Sequence, residues 1–153
     1  MVDDVSLNKA AIIERCVARV RQEYADDDAN LKDNQTRQDA IILNLQRACE
    51  AAIDLAMHHV RLSRLGVPQE SRDAFDLLAK AGKLDAALAE KMVKMVGFRN
   101  TAVHNYRALN LEIVKAIIHD HLDGITHRFA QEGCGTGHGE QCADLDRIRG
   151  KRY

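Results

Sequence analysis

The chain has 153 residues, 22 of them basic and 23 acidic, for a formal net charge of −1, so no global field draws it to nucleic acid or to an anionic membrane. Any contact with a polyanion must come from a local patch. Apolar residues make up 46% and aromatics only 4%, with one proline and no tryptophan, which favours a domain of packed helices over a sandwich of short strands.

The elements follow in order. A first helix is expected from about Ser6, a plausible N-cap, with Ile13, Cys16, Val17, Val20 and Tyr24 on one face, stopping before Asp26-Asp27-Asp28. The second is the clearest pattern, from about Asn34 to about Leu62, with Ile41, Ile42, Leu45, Ala48, Cys49, Ala52, Leu55 and His59 on one side, and Gly66-Val67-Pro68 breaks it. Ser71 is then expected to cap a short helix carrying Phe75, Leu77 and Leu78 and ending at Gly82 as C′ residue. Asp85 caps the helix that delivers Arg99. Asn110 caps a last long helix with Leu111, Val114, Ile118, Leu122, Ile125 and Phe129 facing inward. The expected fold class is all-α, an up-down four-helix bundle with one short extra helix.

The chain changes character after about Gln131, which divides it into a helical domain, 1–131, and a C-terminal tail, 132–153, expected to be flexible. Gly133, Gly135, Gly137 and Gly139 alternate with Cys134, Thr136 and His138, and Cys142 and a basic end, Arg147 to Arg152, follow. Cys134-x3-His138-x3-Cys142 offers three soft ligands, but a closed zinc site wants four and the spacing fits no common module, so no metal is expected. Cys16 and Cys49 fall on apolar stripes and read as core thiols. His58 and His59 point about 100° apart on a helix and do not share a metal easily. The acidic start, Met1-Val2-Asp3-Asp4, and the absence of a long apolar run predict neither signal peptide nor membrane span, hence a cytoplasmic protein.

One stretch stands apart: Arg99-Asn100-Thr101-Ala102-Val103-His104-Asn105-Tyr106. On a helical wheel Leu88, Met92, Met95, Arg99, Ala102, Val103 and Tyr106 share a stripe roughly 100° wide, the width of a core-facing surface. Arg99 lies in its middle. A guanidinium cannot shed its charge, so burying it calls for a paired acid, several carbonyl acceptors or an external anion. The acids of the other helical patterns, Glu14, Asp39, Glu50, Asp54, Glu112, Asp120 and Asp123, lie off-centre on their own wheels. An arginine snorkelling to a helix end fits the wheel as well. A planar five-donor fork suits a phosphate and the extra charge of its transition state, and an imidazole can take or give a proton near neutrality. Arg61, Arg64, Arg99 and Arg107 are candidates for a converging basic patch.

The pattern of Arg, a polar residue, three more residues, His, any residue and Tyr resembles the motif of the HEPN superfamily, in the form carried by its HepT-like ribonuclease toxins. Met95-Val96-Gly97-Phe98, leading into Arg99-Asn100, and Asp39-Ala40-Ile41-Ile42-Leu43-Asn44-Leu45-Gln46-Arg47-Ala48 resemble further family segments, and the likeness covers roughly residues 5 to 130. The resemblance implies the toxin of a HEPN/MNT toxin-antitoxin pair, a metal-independent endoribonuclease needing no cofactor. It implies Arg99 and His104 as catalytic residues, Asn100 as their polar support, and a homodimer that joins two motifs in one cleft. It further implies that Tyr106 is AMPylated by a partner nucleotidyltransferase of the MNT type, the antitoxin. On an ideal wheel His104 points roughly 140° from Arg99, so the two meet only across subunits or through a bent backbone. Read without the family, Tyr106 is a core residue with its hydroxyl satisfied at the interface. The alternatives are a non-catalytic, nucleotide-binding regulator of a nucleotidyltransferase, and a bundle whose polar octet only sets dimer register.

Overall fold

A computed structural model describes residues 3–125. They form α1 (Asp4–Tyr24), α2 (Asp28–Lys32), α3 (Gln35–Leu62), α4 (Ser71–Lys80), α5 (Ala86–His104), a 3₁₀ turn (Tyr106–Ala108) and α6 (Leu111–Asp120). The expected all-α bundle is present, and α4 is the short extra helix. The expected C-terminal tail and the Cys134, His138 and Cys142 set lie outside the described residues.

Side-chain pairs show how the helices run. Lys9 meets Asp54 at 3.0 Å and Asp3 meets His58 at 2.8 Å, while at the other end Arg37 donates to the Glu23 carbonyl, so α1 and α3 are antiparallel. Lys32 pairs with Glu112 and Arg21 with Asp123, which runs α6 antiparallel to α1. Between α1 and α3 the apolar stripes close on each other through Ile13, Val17, Val20, Ile41, Leu45, Ala48, Ala52 and Leu55, all essentially inaccessible to water. Burying each Leu or Ile contributes roughly 1.5–3 kcal/mol. Phe75, Leu88, Met92 and Met95 extend this core under α4 and α5. Cys16 and Cys49 are buried free thiols, as their apolar positions predict.

The helix ends show where local chemistry overrides the simplest sequence signal. Asp3, rather than Ser6, caps α1, because its carboxylate accepts both from the Ser6 N–H at 3.0 Å and from the Ser6 hydroxyl at 2.9 Å. Ser6 itself is buried inside the first turn. The acidic cluster does end α1, with Ala25 and Asp26 in the left-handed region, but Asp27 then caps the five-residue α2, which hydrophobic periodicity is too short to reveal. Asn34 and Asn110 cap α3 and α6 through their side chains as expected. Glu70, rather than Ser71, is the N-cap of α4, since Asp73 reaches back to the N–H groups of Gln69 and Glu70 at 3.0 and 2.9 Å and fixes the start one residue earlier. Gly82 sits at φ +71° as the C′ residue. Its N–H bonds the Ala79 carbonyl and the Lys83 N–H bonds that of Leu78, the paired closure that satisfies the last orphan carbonyls of α4. The last helix is regular only to Asp120, after which Leu122 and Ile125 stay buried in a final irregular turn. Phe129 lies beyond the described residues.

Among the described residues no helix is long and apolar enough to cross a membrane. Two histidines report on packing. Burial pushes His59, beside Ser6, and His121, whose Nδ1 is enclosed without a hydrogen-bond partner, below the ordinary 6.5. The unfolded chain therefore binds these protons first, so stability is fully present above pH 6.5 and falls as the pH drops below it. Thermal unfolding between pH 7.5 and 5 should show Tm falling on acidification, and His59→Gln should flatten the profile. An unchanged slope in that variant would contradict the burial account.

Candidate active site

The candidate site lies at the C-terminal end of α5, and the length of α4 defines it. α4 turns at Gly82 and lies back along α5, so its first residue, Ser71, comes level with Arg99: the Ser71 hydroxyl accepts from Arg99 Nη2 at 3.2 Å. Beyond that point α4 no longer covers α5. Leu88, Met92, Met95 and Ala102 are buried as the wheel predicts, but Val103 is 48% exposed and Tyr106 41% exposed. Val103 lies one turn past the end of α4, and Tyr106 has left the helix altogether, because α5 stops at His104 and Asn105 adopts φ −149°, ψ 65°.

Arg99 is half-buried. Its Nε is enclosed and has no hydrogen-bond partner, and among the described residues no carboxylate pairs with it. The acids beside Ser71 are committed elsewhere: Glu70 faces Arg72 at 3.6 Å, and Asp73 is taken by backbone N–H groups. On the α3 side Arg99 lies close enough to Cys49 for its charge to act on the thiol. Burial nevertheless dominates there and pushes Cys49 up to about 12, so the thiol is no nucleophile at neutral pH.

His104 is exposed as the last residue of α5, and Asn100 is half-buried beside Arg99. The helix is regular through this stretch, so Arg99 and His104 leave it about 140° apart in azimuth and about 7.5 Å apart along the axis. A single chain does not bring them together. Tyr106 opens the 3₁₀ turn and donates its hydroxyl to Asp39 Oδ1 of α3 at 2.5 Å. Burial first, and then this hydrogen bond, pushes the phenol up to about 12. It is therefore protonated near neutrality and half open to solvent. The expected convergence of four arginines does not occur within the single chain. The stretch of α3 from Asp39 to Arg61 is roughly 33 Å long at the helical rise, which puts Arg61 and Arg64 far from Arg107 beside Tyr106. No group of three His, Cys, Asp or Glu side chains that could hold a metal ion occurs among the described residues.

A half-buried guanidinium with no carboxylate partner among the described residues, an exposed imidazole at the helix end and an accessible phenol just past it are features that point to a family. The model of the ribonuclease HepT-like family matches residues 13–131. The chain belongs to the HepT-like ribonucleases. The mRNA nuclease HepT of Shewanella oneidensis is 48% identical over 122 residues, which span 80% of this chain and 91% of that protein. Among solved structures, the tri-AMPylated Shewanella oneidensis HEPN toxin in complex with MNT antitoxin superposes with a TM-score of 0.80 at 45% identity, over 85% of this chain and 96% of that one. A toxin-antitoxin structure with AMP-PNP matches equally well, at a TM-score of 0.80 and 45% identity, over 85% of this chain and 97% of that one.

Two residues of this HepT-like site escaped the sequence reading. Ser71 was expected only as a cap, and Asp39 only as an acid off the centre of its stripe and as the first residue of a family-like segment, without a role in the site. Both act across long sequence separations, for which a single sequence carries no local signal. The isolation of Arg99 has a measurable cost. Arg99→Met, which keeps the stem and removes the unpaired charge, should raise the unfolding free energy by about 1–3 kcal/mol in urea titration. A loss of stability would mean that the guanidinium is satisfied in the native state.

Proposed function

We propose that the protein is the toxin of a HEPN/MNT pair and cleaves RNA at a composite cleft between two copies of the chain, with Arg99 and His104 catalytic and Asn100 supporting them. The observation that carries this reading is the divergence of Arg99 and His104 on a straight helix. A guanidinium and an imidazole that cannot meet within one protomer can meet their counterparts when two α5 ends face each other about a two-fold axis.

The chemistry follows from the groups. Arg99 grips a phosphodiester and stabilises the charge that grows on phosphorus in the transition state. One imidazole takes the proton of the 2′-hydroxyl as its oxygen attacks phosphorus, and the other gives a proton to the departing 5′-oxygen, leaving a 2′,3′-cyclic phosphate. No metal is needed for either transfer. The net charge near zero means that the RNA is drawn in by the cleft itself rather than by the whole surface.

Tyr106 supplies the control. Its hydroxyl is open enough for an MNT-type nucleotidyltransferase to reach, and AMP groups attached there would bring bulk and negative charge to the place where RNA phosphates must bind. The Shewanella complex, an AMPylated toxin held by its antitoxin, supports this reading. A cytoplasmic setting provides both RNA and the nucleoside triphosphate.

The decisive experiment incubates purified protein with end-labelled RNA in excess EDTA. Cleavage should persist in chelator, fall by about 10²-fold or more in Arg99→Ala and in His104→Ala, and come from a species of twice the chain mass by light scattering. Cleavage surviving either substitution would remove the catalytic assignment. Intact RNA together with tight nucleotide binding would favour the non-catalytic regulator instead.

A further inference from the structure

We propose that Asp39 is a positioning residue for His104, acting through the Tyr106 hydroxyl, and that AMP transfer to Tyr106 weakens the enzyme by breaking this link as well as by filling the cleft. The proposal rests on the roles given above to His104 and Tyr106.

The segment from His104 to Asn110 has little of its own to hold it. α5 closes with the Asn105 N–H on the Thr101 carbonyl at 2.8 Å, and the 3₁₀ turn adds two backbone bonds, Ala108 to Asn105 at 3.0 Å and Leu109 to Tyr106 at 3.2 Å. Most of its side chains are exposed. Beyond the Asn110 cap on the adjoining α6 and the packing of Leu109 on the core, the side-chain hydrogen bond that ties this segment to another helix among the described residues is the one from Tyr106 to Asp39. Asp39 is a firm anchor, being in the second turn of the 28-residue α3 and held from below by the Gln35 amide, which donates to the same oxygen at 2.8 Å. His104 is two residues from Tyr106, so a turn pinned at Tyr106 fixes the direction in which α5 presents its imidazole. A proton-transfer group misplaced by an ångström loses much of its effect.

AMP transfer acts on this link directly. The phenolic oxygen attacks the α-phosphorus of ATP, an O–P bond forms, the bond from that phosphorus to the bridging oxygen breaks, pyrophosphate leaves, and the phenolic proton passes to solvent. The product has no O–H to donate and carries a phosphodiester charge where the donor stood. Asp39 thereby loses its hydrogen bond and faces an anion, so the turn is pushed off α3 and His104 loses its reference point.

The test compares wild type, Asp39→Ala, Asp39→Asn, Tyr106→Phe and the Asp39→Ala/Tyr106→Phe double variant in RNA cleavage and in hydrogen–deuterium exchange. Asp39→Ala and Tyr106→Phe should each lower kcat by about tenfold with little change in KM. The double variant should be no worse than either alone, because both remove the same link. Asp39→Asn, whose carbonyl still accepts, should recover most of the loss. Exchange of residues 104–110 should quicken roughly tenfold in Tyr106→Phe and in AMP-modified wild type, with the rest of the protein unchanged. Unchanged protection of that segment in Tyr106→Phe, or kcat losses that multiply in the double variant, would overturn the proposal. Wild-type cleavage by His104→Ala would instead overturn the role of His104 and with it the positioning role, and the exchange data would show separately whether the link exists.

Discussion

The site is organised by one unsatisfied charge. Among the described residues, Arg99 on the core-facing stripe of α5 has one side-chain hydrogen bond, to Ser71, an enclosed Nε that has no partner, and no acid to neutralise it. An enclosed donor left unpaired costs about 1–3 kcal/mol, comparable to what one buried leucine contributes. The α1 and α3 interface, with its row of fully buried Ile, Leu, Val and Ala side chains, offsets that easily. The fold is therefore stable enough to hold a cation in a state of partial solvation, and such a cation binds a phosphate more strongly than one already paired with a carboxylate. The neighbouring acids keep this state intact because each has another partner. Glu70 faces Arg72 and Asp73 closes the start of α4.

A second constraint is the continuity of α5. The α-helix continues uninterrupted to His104, so five residues of helical twist separate the guanidinium from the imidazole. A bend would have allowed a complete site in one protomer. Its absence makes a second copy the economical solution, and on the proposed reading the dimer is part of the catalytic machinery rather than an aid to stability. The shortness of α4 serves the same end. By stopping at Ser71 it leaves the last turn of α5 open, and the exposed Val103 belongs to the surface that a facing copy would cover.

Much of this was legible in the residues, and the failures have a common cause. The long stripes of α1 and α3, the paired closure at Gly82 and the asparagine caps are local signals, read from periodicity and from side chains that reach a few residues along the chain. The errors came where two local signals competed. Ser6 and Ser71 both looked like caps, but the neighbouring acids Asp3 and Asp73 offered stronger acceptors and moved each helix start upstream. The wheel put Val103 and Tyr106 on the buried stripe because it assumes that the helix continues and that a neighbour covers its whole length, and neither holds past Arg99. The identities of Arg99, Asn100, His104 and Tyr106 could be read from the motif. Their contacts with Ser71 and Asp39 could not, since those depend on how α4 and α3 come to lie beside α5.

α3 acts as the ruler for the site. Arg99 is registered against its middle, beside Cys49, and Tyr106 against its second turn, at Asp39, while α1 packs along the opposite side and holds it rigid. The two registrations are independent. Arg99 is anchored by Ser71 and by the core-facing turn of α5, whereas the segment after His104 is held by Leu109 on the core, by the Asn110 cap on α6 and, at the exposed rim, by the hydrogen bond between Tyr106 and Asp39. On the proposed reading, a covalent change at Tyr106 shifts the imidazole end of the site and leaves the guanidinium end and the core beneath it in place. The modification then acts at the rim of the folded bundle, because Tyr106 bonds Asp39 on the exposed face of α3, away from the Ile, Leu, Val and Ala side chains that pack α1 against α3.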